Sequence, residues 1–175
     1  MKFFALILIP LFFVTCKNGK KATATEPLGK KMASVEITEG CPGKKGTCKF
    51  EVMPGQSYHI ETDGTGMMRP VMEKNAETMV IKFTYSRGQK EKQIDGQYRE
   101  EVYAIIPAGK SKFEAVDKEL KDITFLYGRF CYCQKNSVGY VKVDNGRLKI
   151  ENGQMRFQFK NGKIPQIIDE VAGKY

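Results

Sequence analysis

The residues with the most chemistry to offer are five cysteines. Cys41 and Cys48 bracket a short basic stretch, Cys131 and Cys133 flank Tyr132, and Cys16 stands apart near the N-terminus. Five is an odd number, so if four pair, one cysteine is left for another task. The other four allow three pairings. On a strand, Cys131 and Cys133 share a face about 6.6 Å apart, so a direct bond between them needs a kink. Two arrangements compete. In one, Cys41–Cys48 closes a local loop, leaving Cys131 and Cys133 as a direct pair or as thiols. In the other, both N-terminal cysteines cross to the Cys-x-Cys strand. The crossed form is the favoured expectation, because it staples segments over 80 residues apart, worth about 4 kcal/mol per bridge. The chemical reading of Cys131/Cys133 is thiol–disulfide exchange, although no thioredoxin-like βαβ pattern surrounds the pair.

Other reactive groups are sparse. A single histidine, His59, excludes multi-histidine metal sites. It lies in sequence among Met53, Met67, Met68, Met72 and Met79, whose thioethers suit copper(I). No Met-x-x-Met or His-x-Met repeat supports this, and methionine also fills irregular cores, so the expectation is no metal and no cofactor. Nucleophile-elbow, zinc-protease and phosphate-loop motifs are missing. The carboxylates Glu100-Glu101 and Asp117/Glu119 read as solvated faces, and the chain is expected not to be an enzyme. Lys44 and Lys45 sit inside the Cys41–Cys48 loop. A constrained basic tip of this kind is a candidate partner-binding loop, as in inhibitors of trypsin-like proteases or immunity-type proteins; a plain basic hairpin is the ordinary reading. Tyr127, Phe130, Tyr132 and Tyr140 form an aromatic strip suited to a barrel mouth.

The N-terminus reads as an address. Lys2 precedes a 12-residue apolar run from Phe3 to Val14, interrupted by Pro10. A spanning helix needs roughly 20 residues, so the run is expected to be a secretory signal over residues 1–15. The run ends in Phe13-Val14-Thr15-Cys16, which resembles the lipobox of bacterial lipoproteins in the looser form of Bacteroidota. The resemblance implies cleavage before Cys16, diacylation of its sulfur and a membrane anchor, each buried methylene contributing about 0.8 kcal/mol. Lys17 after the cysteine resembles the default outer-membrane address, facing the periplasm. Ordinary cleavage after Ala22-Thr23-Ala24 is the competing reading.

The charge is unevenly spread. The chain has 175 residues and a formal charge of +9. Residues 16–34 are small, polar and lysine-rich and are expected to be a tether. They carry +4, as do residues 35–175. The domain is therefore only mildly basic, and no nucleic-acid module is present.

Residues 35–175 read as a single antiparallel β domain. Alternating apolar residues mark strands at Val35–Glu39, Thr47–Met53, Tyr58–Thr62, Met79–Tyr85, Tyr98–Ile106, Ile123–Tyr127 and Arg129–Cys133. In the last third, Asn145-Gly146, Asn152-Gly153 and Asn161-Gly162 separate four further strand-like runs. Asn-Gly suits two-residue hairpins, because both positions take positive φ. Three in series describe a meander. Ser111-x-x-Glu114 before Val116 and Leu120 resembles a capped helix over 112–121, with a strand as the alternative. The expected fold is all-β: an up-and-down, lipocalin-like meander barrel or a two-sheet sandwich, with one or two short helices at most. The expected role is a non-catalytic binding or structural one at the cell envelope, for an envelope ligand held in the barrel or a protein partner.

Overall fold

Met155, Phe157 and Phe159 are buried while Gln154, Arg156 and Gln158 are exposed, the period-two pattern of a strand with one wet face. The same alternation runs through most of the chain. The computed structural model describes residues 33–43, 46–87, 98–133 and 137–174. Its strands are β1 (Ala33–Ser34), β2 (Glu36–Glu39), β3 (Gly46–Thr62), β4 (Met68–Arg87), β5 (Arg99–Pro107), β6 (Lys112–Val116), β7 (Leu126–Phe130), β8 (Gly139–Lys142), β9 (Gly146–Glu151), β10 (Gln154–Phe159) and β11 (Glu170–Lys174), with a 3₁₀ helix at Asp117–Lys121. The sheet thus begins two residues inside the stretch expected to be tether.

The strands form two antiparallel sheets, ordered β1-β3-β4-β5-β7-β8 and β2-β11-β10-β9-β6. They stack as a sandwich and do not close into a barrel. Aromatic rings fill the space between them: Phe50 meets Phe83 at 6.0 Å and Phe157 at 5.6 Å, and Phe125 meets Phe157 at 5.8 Å between centroids. The expected barrel interior for an envelope ligand is therefore packed protein.

The three Asn-Gly pairs do different things. Asn152-Gly153 is a true two-residue hairpin: Glu151 opposes Gln154, and φ is +53° and +73°. Asn145-Gly146 instead carries the chain from β8 in one sheet to β9 in the other, which breaks the expected meander. Gly146 is required there for two reasons. Its φ is +143°, and an added Cβ would lie 2.6 Å from the Phe159 Cα and against the Gln158 carbonyl. Gly146→Ala is expected to cost about 2–3 kcal/mol, read as a lower urea midpoint with an unchanged m-value.

After Asn161-Gly162 the chain makes a side-chain-tied loop and not a strand. The Asn161 Oδ1 accepts from the Lys163 and Ile164 amides, both at 2.8 Å, and the Gln166 amide donates to the Phe159 and Ile168 carbonyls. The partner of β10 is β11, a short segment containing Ala172 and Gly173. The expected helix over 112–121 is strand β6 followed by the 3₁₀ turn, with the Glu119 carboxylate accepting from the Val116 amide at 2.9 Å.

β3 and β4 form a long hairpin in two parts. Near Pro54 the register slips: Pro54 opposes Met79, but Gln56 opposes Lys74. Asn75–Thr78 have no register partner on β3, although Thr78 still pairs with Pro107 on β5, and the distal arm lies against the outer face of the six-stranded sheet through Tyr58. Tyr58 anchors it, packing with Val80, Tyr103 and Leu126 and donating its hydroxyl hydrogen bond to the Thr124 carbonyl.

Buried phenols make this fold sensitive to alkali. Burial raises the Tyr58, Tyr103, Tyr127 and Tyr140 hydroxyls above the usual tyrosine range. Burial, then the hydrogen bond to Glu100, pushes Tyr98 up to about 12. The folded state favours the neutral phenol, while the unfolded chain ionises near pH 10. Their contribution to stability is therefore full below about pH 10 and is lost as pH rises toward 12. Phenolate absorbance near 295 nm is expected to rise together with loss of β-sheet circular dichroism. Smooth titration of all tyrosines around pH 10 in an intact sheet would contradict this.

Candidate functional site

One end of the six-stranded sheet gathers most of the residues that can make strong contacts. The strand register fixes which ones. Across one rung stand Cys48, Tyr85, Glu100, Arg129 and Gly139, each opposite the next. The next positions outward are Arg87, Tyr98, Arg99 and Phe130, followed by Cys131-Tyr132-Cys133.

The disulfides are Cys41–Cys48 and Cys131–Cys133, with Cα separations of 5.9 and 5.2 Å. The crossed pairing is corrected by the sheet order. β4 and β5 lie between β3 and β7, so Cys48 and Cys131 are about 14 Å apart at three strand spacings, beyond disulfide reach. The kink required for the direct bond is present. β7 ends at Phe130, and the Cys133 amide donates to the Cys131 carbonyl at 2.9 Å. This bend ejects Tyr132, which is 93% exposed.

Beneath the tip, each guanidinium lies over an aromatic ring. Arg99 is 4.7 Å from the Phe130 centroid, and Arg87 and Arg129 are 5.2 and 5.3 Å from that of Tyr98. Arg87 donates to the Tyr85 hydroxyl. Arg129 donates to the Tyr98 hydroxyl at 3.3 Å and the Ser137 carbonyl at 2.8 Å, and its Nη2 is 3.6 Å from Cys133 Sγ. Among the described residues neither Arg87 nor Arg129 pairs directly with a carboxylate. Gly128 gives the Tyr140 ring room to cross β7: an added Cβ would lie 2.5 Å from that ring. Tyr140 then backs Phe130 at 5.0 Å.

The platform is tied to the core by Glu100. This carboxylate is fully buried. It accepts from the Tyr98 hydroxyl and from the Ile167 and Ile168 amides at 2.9 and 2.8 Å. Glu101, next in the strand, faces the other way. It accepts from the Tyr140 hydroxyl and pairs with Arg99 at 3.1 Å and Lys82 at 3.4 Å. The two carboxylates therefore serve opposite faces and do not form an acid–base pair. Asp117 accepts from the Gly146 amide, and Glu119 caps Val116, so both have structural work.

His59 and the methionines are not assembled either. His59 lies 3.4 Å from Glu73 and 3.5 Å from Glu61 on the arm's outer side. Met68 and Met72 oppose Thr62 and Tyr58 on the other side, and Met79 is in the core. Among the described residues no cluster of three His, Cys, Asp or Glu side chains is placed to hold a metal. The aromatic strip divides: Tyr127 points inward and donates to the Pro165 carbonyl at 3.1 Å, whereas Phe130, Tyr132 and Tyr140 belong to the sheet end. Cys16, Lys44 and Lys45 lie outside the described residues.

A shallow cleft of about 760 Å³ opens beside the Asn161–Gln166 loop. Gln166 and Glu170 on its wall already bond to Asn161, Phe159, Ile168 and Arg156, so these two side chains are not free to orient a ligand.

Sequence reasoning found Cys131, Tyr132, Cys133 and Phe130, but not Arg87, Tyr98, Arg99 and Arg129. No local spacing joins residues 87, 98–99 and 129; only the strand register does. No protein-family model matches the chain, and no curated protein or solved structure is similar to it.

Proposed function

We propose that this chain is an exported lipoprotein, anchored through acylated Cys16, that binds an acidic protein partner at the cell envelope through the arginine–tyrosine end of its six-stranded sheet. The observation that carries this reading is Tyr132, 93% exposed between two bonded cysteines at the sheet end where Arg99 stacks on Phe130 on one face and Arg129 stacks on Tyr98 on the other. Tyrosine and arginine dominate binding energy at protein interfaces, because both bury large area with few rotors and keep a polar end. Here the usual ordering cost is reduced in advance, since the disulfide holds the tip and the rings hold the guanidiniums. The exposed face of the five-stranded sheet offers less. Its arginines and lysines are matched by acids: Arg147 with Glu114, Lys149 with Glu151, and Arg156 with Glu39.

The test is quantitative capture from a detergent extract of the native envelope by the acylated protein and by its Tyr132→Ala form. A partner retained by the first and lost by the second supports the reading; equal capture refutes it. The mass of the mature N-terminus tests the anchor. A diacylated Cys16 terminus is expected, and an unmodified terminus beyond Cys16 contradicts it.

The closed Cys41–Cys48 loop supports a second reading at the same sheet end. If Lys44 or Lys45 enters the specificity pocket of a trypsin-like protease, inhibition falls sharply in Lys44→Ala/Lys45→Ala and is indifferent to Tyr132→Ala. No inhibition across a panel of such proteases removes it.

A further inference from the structure

The Cys131–Cys133 bond has features that a purely structural cross-link does not need. It joins residues two apart on one exposed bend, so it ties no distant segments together. Cys133 is exposed, and the Arg129 Nη2 lies 3.6 Å from its sulfur. Arg129 is held there by the Tyr98 hydroxyl, the Ser137 carbonyl and the Tyr98 ring. A fixed guanidinium beside one sulfur favours that sulfur as a thiolate, and a thiol that is a better thiolate leaves faster in exchange.

From this we infer that Cys131–Cys133 is a thiol–disulfide exchange site that takes two electrons from a dithiol, the dithiol being a pair of cysteines on an exported protein. A thiolate of the dithiol attacks Cys131 Sγ. The Cys131–Cys133 bond breaks, and its electron pair leaves on Cys133 as a thiolate facing Arg129. The second thiol of the dithiol loses its proton to solvent and attacks its own sulfur in the mixed disulfide. The dithiol departs as a disulfide, and Cys131 leaves as a thiolate that takes a proton. The protein ends with Cys131 and Cys133 reduced, and the proton and electron counts balance. The inference is independent of the binding reading, since Arg129 and the two sulfurs suffice.

Among the described residues, the charged and titratable groups around Cys133 on the packed elements are Arg129 on β7 and, behind it, Tyr98 just before β5, Glu100 on β5 and Arg87 at the end of β4, which lies over the far side of the site on the Tyr98 ring. Glu100 is occupied by Tyr98 and the Ile167 and Ile168 amides. Among the described residues Arg129 is the cation placed against the Cys133 sulfur, at 3.6 Å, and is the group assigned to the thiolate.

The experiment incubates the folded protein with dithiothreitol, a small dithiol, and follows each cysteine by alkylation and mass spectrometry. Cys131–Cys133 is expected to open at reductant concentrations at least tenfold below those that open Cys41–Cys48. In the reduced protein, Cys133 alkylation by iodoacetamide is expected to reach half-maximum well below about pH 8.5, the value of a free cysteine, with Cys131 above it. Arg129→Gln moves the Cys133 midpoint up toward that value, and Arg129→Lys restores the shift. Cys133→Ser traps a glutathione adduct on Cys131 after exposure to glutathione disulfide. Simultaneous opening of both bonds, or an ordinary Cys133 midpoint in the wild-type protein, overturns the inference without recourse to any variant.

Discussion

Glu100→Ala is expected to lower the melting temperature by about 10–20 °C, the largest loss from any single polar substitution in this fold. Among the described residues Glu100 is the one fully buried carboxylate, and its worth lies in what it satisfies. The Ile167 and Ile168 amides reach it at 2.9 and 2.8 Å, across 67 and 68 residues of sequence, and the Tyr98 hydroxyl donates to it as well. Each donor left buried without a partner costs about 1–3 kcal/mol. Two amides and a hydroxyl together give about 3–5 kcal/mol once part of the loop relaxes toward water. A domain of this size loses about 3–5 °C per kcal/mol. Glu100→Gln keeps one acceptor oxygen but turns an NH₂ toward an amide donor, so it is expected to fall between wild type and alanine. Thermal unfolding followed by circular dichroism reads all three. A drop of less than about 3 °C for the alanine form would mean that the Ile167–Ile168 loop finds other acceptors readily. Because Tyr98 stands between Glu100 and Arg129, the alanine form is also expected to loosen the guanidinium beside Cys133.

Tyr132→Ala is expected to weaken partner binding by about 30-fold or more while leaving the melting temperature within about 1 °C of wild type. A buried tyrosine anchor at an interface centre is worth about 2 kcal/mol or more, and about 1.4 kcal/mol is tenfold in affinity. In the free protein Tyr132 touches little, being 93% exposed, so its removal has no route to stability. Arg99→Gln is expected to have a smaller effect, about threefold to tenfold, visible mainly as a slower on-rate and a flatter salt dependence. Arg99 shares its charge with Glu101 at 3.1 Å, so less of it is available to an acidic partner. A Tyr132→Ala form that binds as wild type but melts lower would reverse this assignment and make the tyrosine structural.

The legible part of the fold was the part set by local periodicity. β10 was plain in the sequence because Met155, Phe157 and Phe159 alternate with polar residues, and Asn152-Gly153 has the φ values that a tight hairpin demands. The same dipeptide misled at Asn145-Gly146. There the glycine is needed because a Cβ has no room beside Phe159, a constraint imposed by a strand on the far side of a sheet crossing. β11 was missed because Ala172 and Gly173 carry little strand signal, and their pairing is dictated by β10 and β2 on either side. β3 reads in the sequence as two runs, Thr47–Met53 and Tyr58–Thr62, and the distal half of β4, Met68–Thr78, shows no alternating run at all, so the arm was only half legible. The sheet absorbs the break between the two runs of β3 as a register slip.

The site was half legible for a related reason. Cys131-Tyr132-Cys133 is a local pattern and stands out in any reading. Its pairing does not, because the choice between crossed and local bridges depends on β4 and β5 lying between the two cysteine pairs. The arginines were invisible as a group. Arg87 and Arg99 become neighbours of Tyr98 and Phe130 only after β4, β5 and β7 are in register.

The most direct test of the claim that this sheet end is the binding surface is photo-cross-linking in living cells. A photoreactive amino acid is placed at Tyr132, at Thr65 on the arm tip, or at Gln154 on the five-stranded sheet. All three positions are exposed, so none of the replacements disturbs the core. The expected result is a discrete cross-linked protein from position 132 only, reduced when Arg99→Gln is added. Equal products from all three positions, or a product from Gln154 and none from position 132, would contradict it.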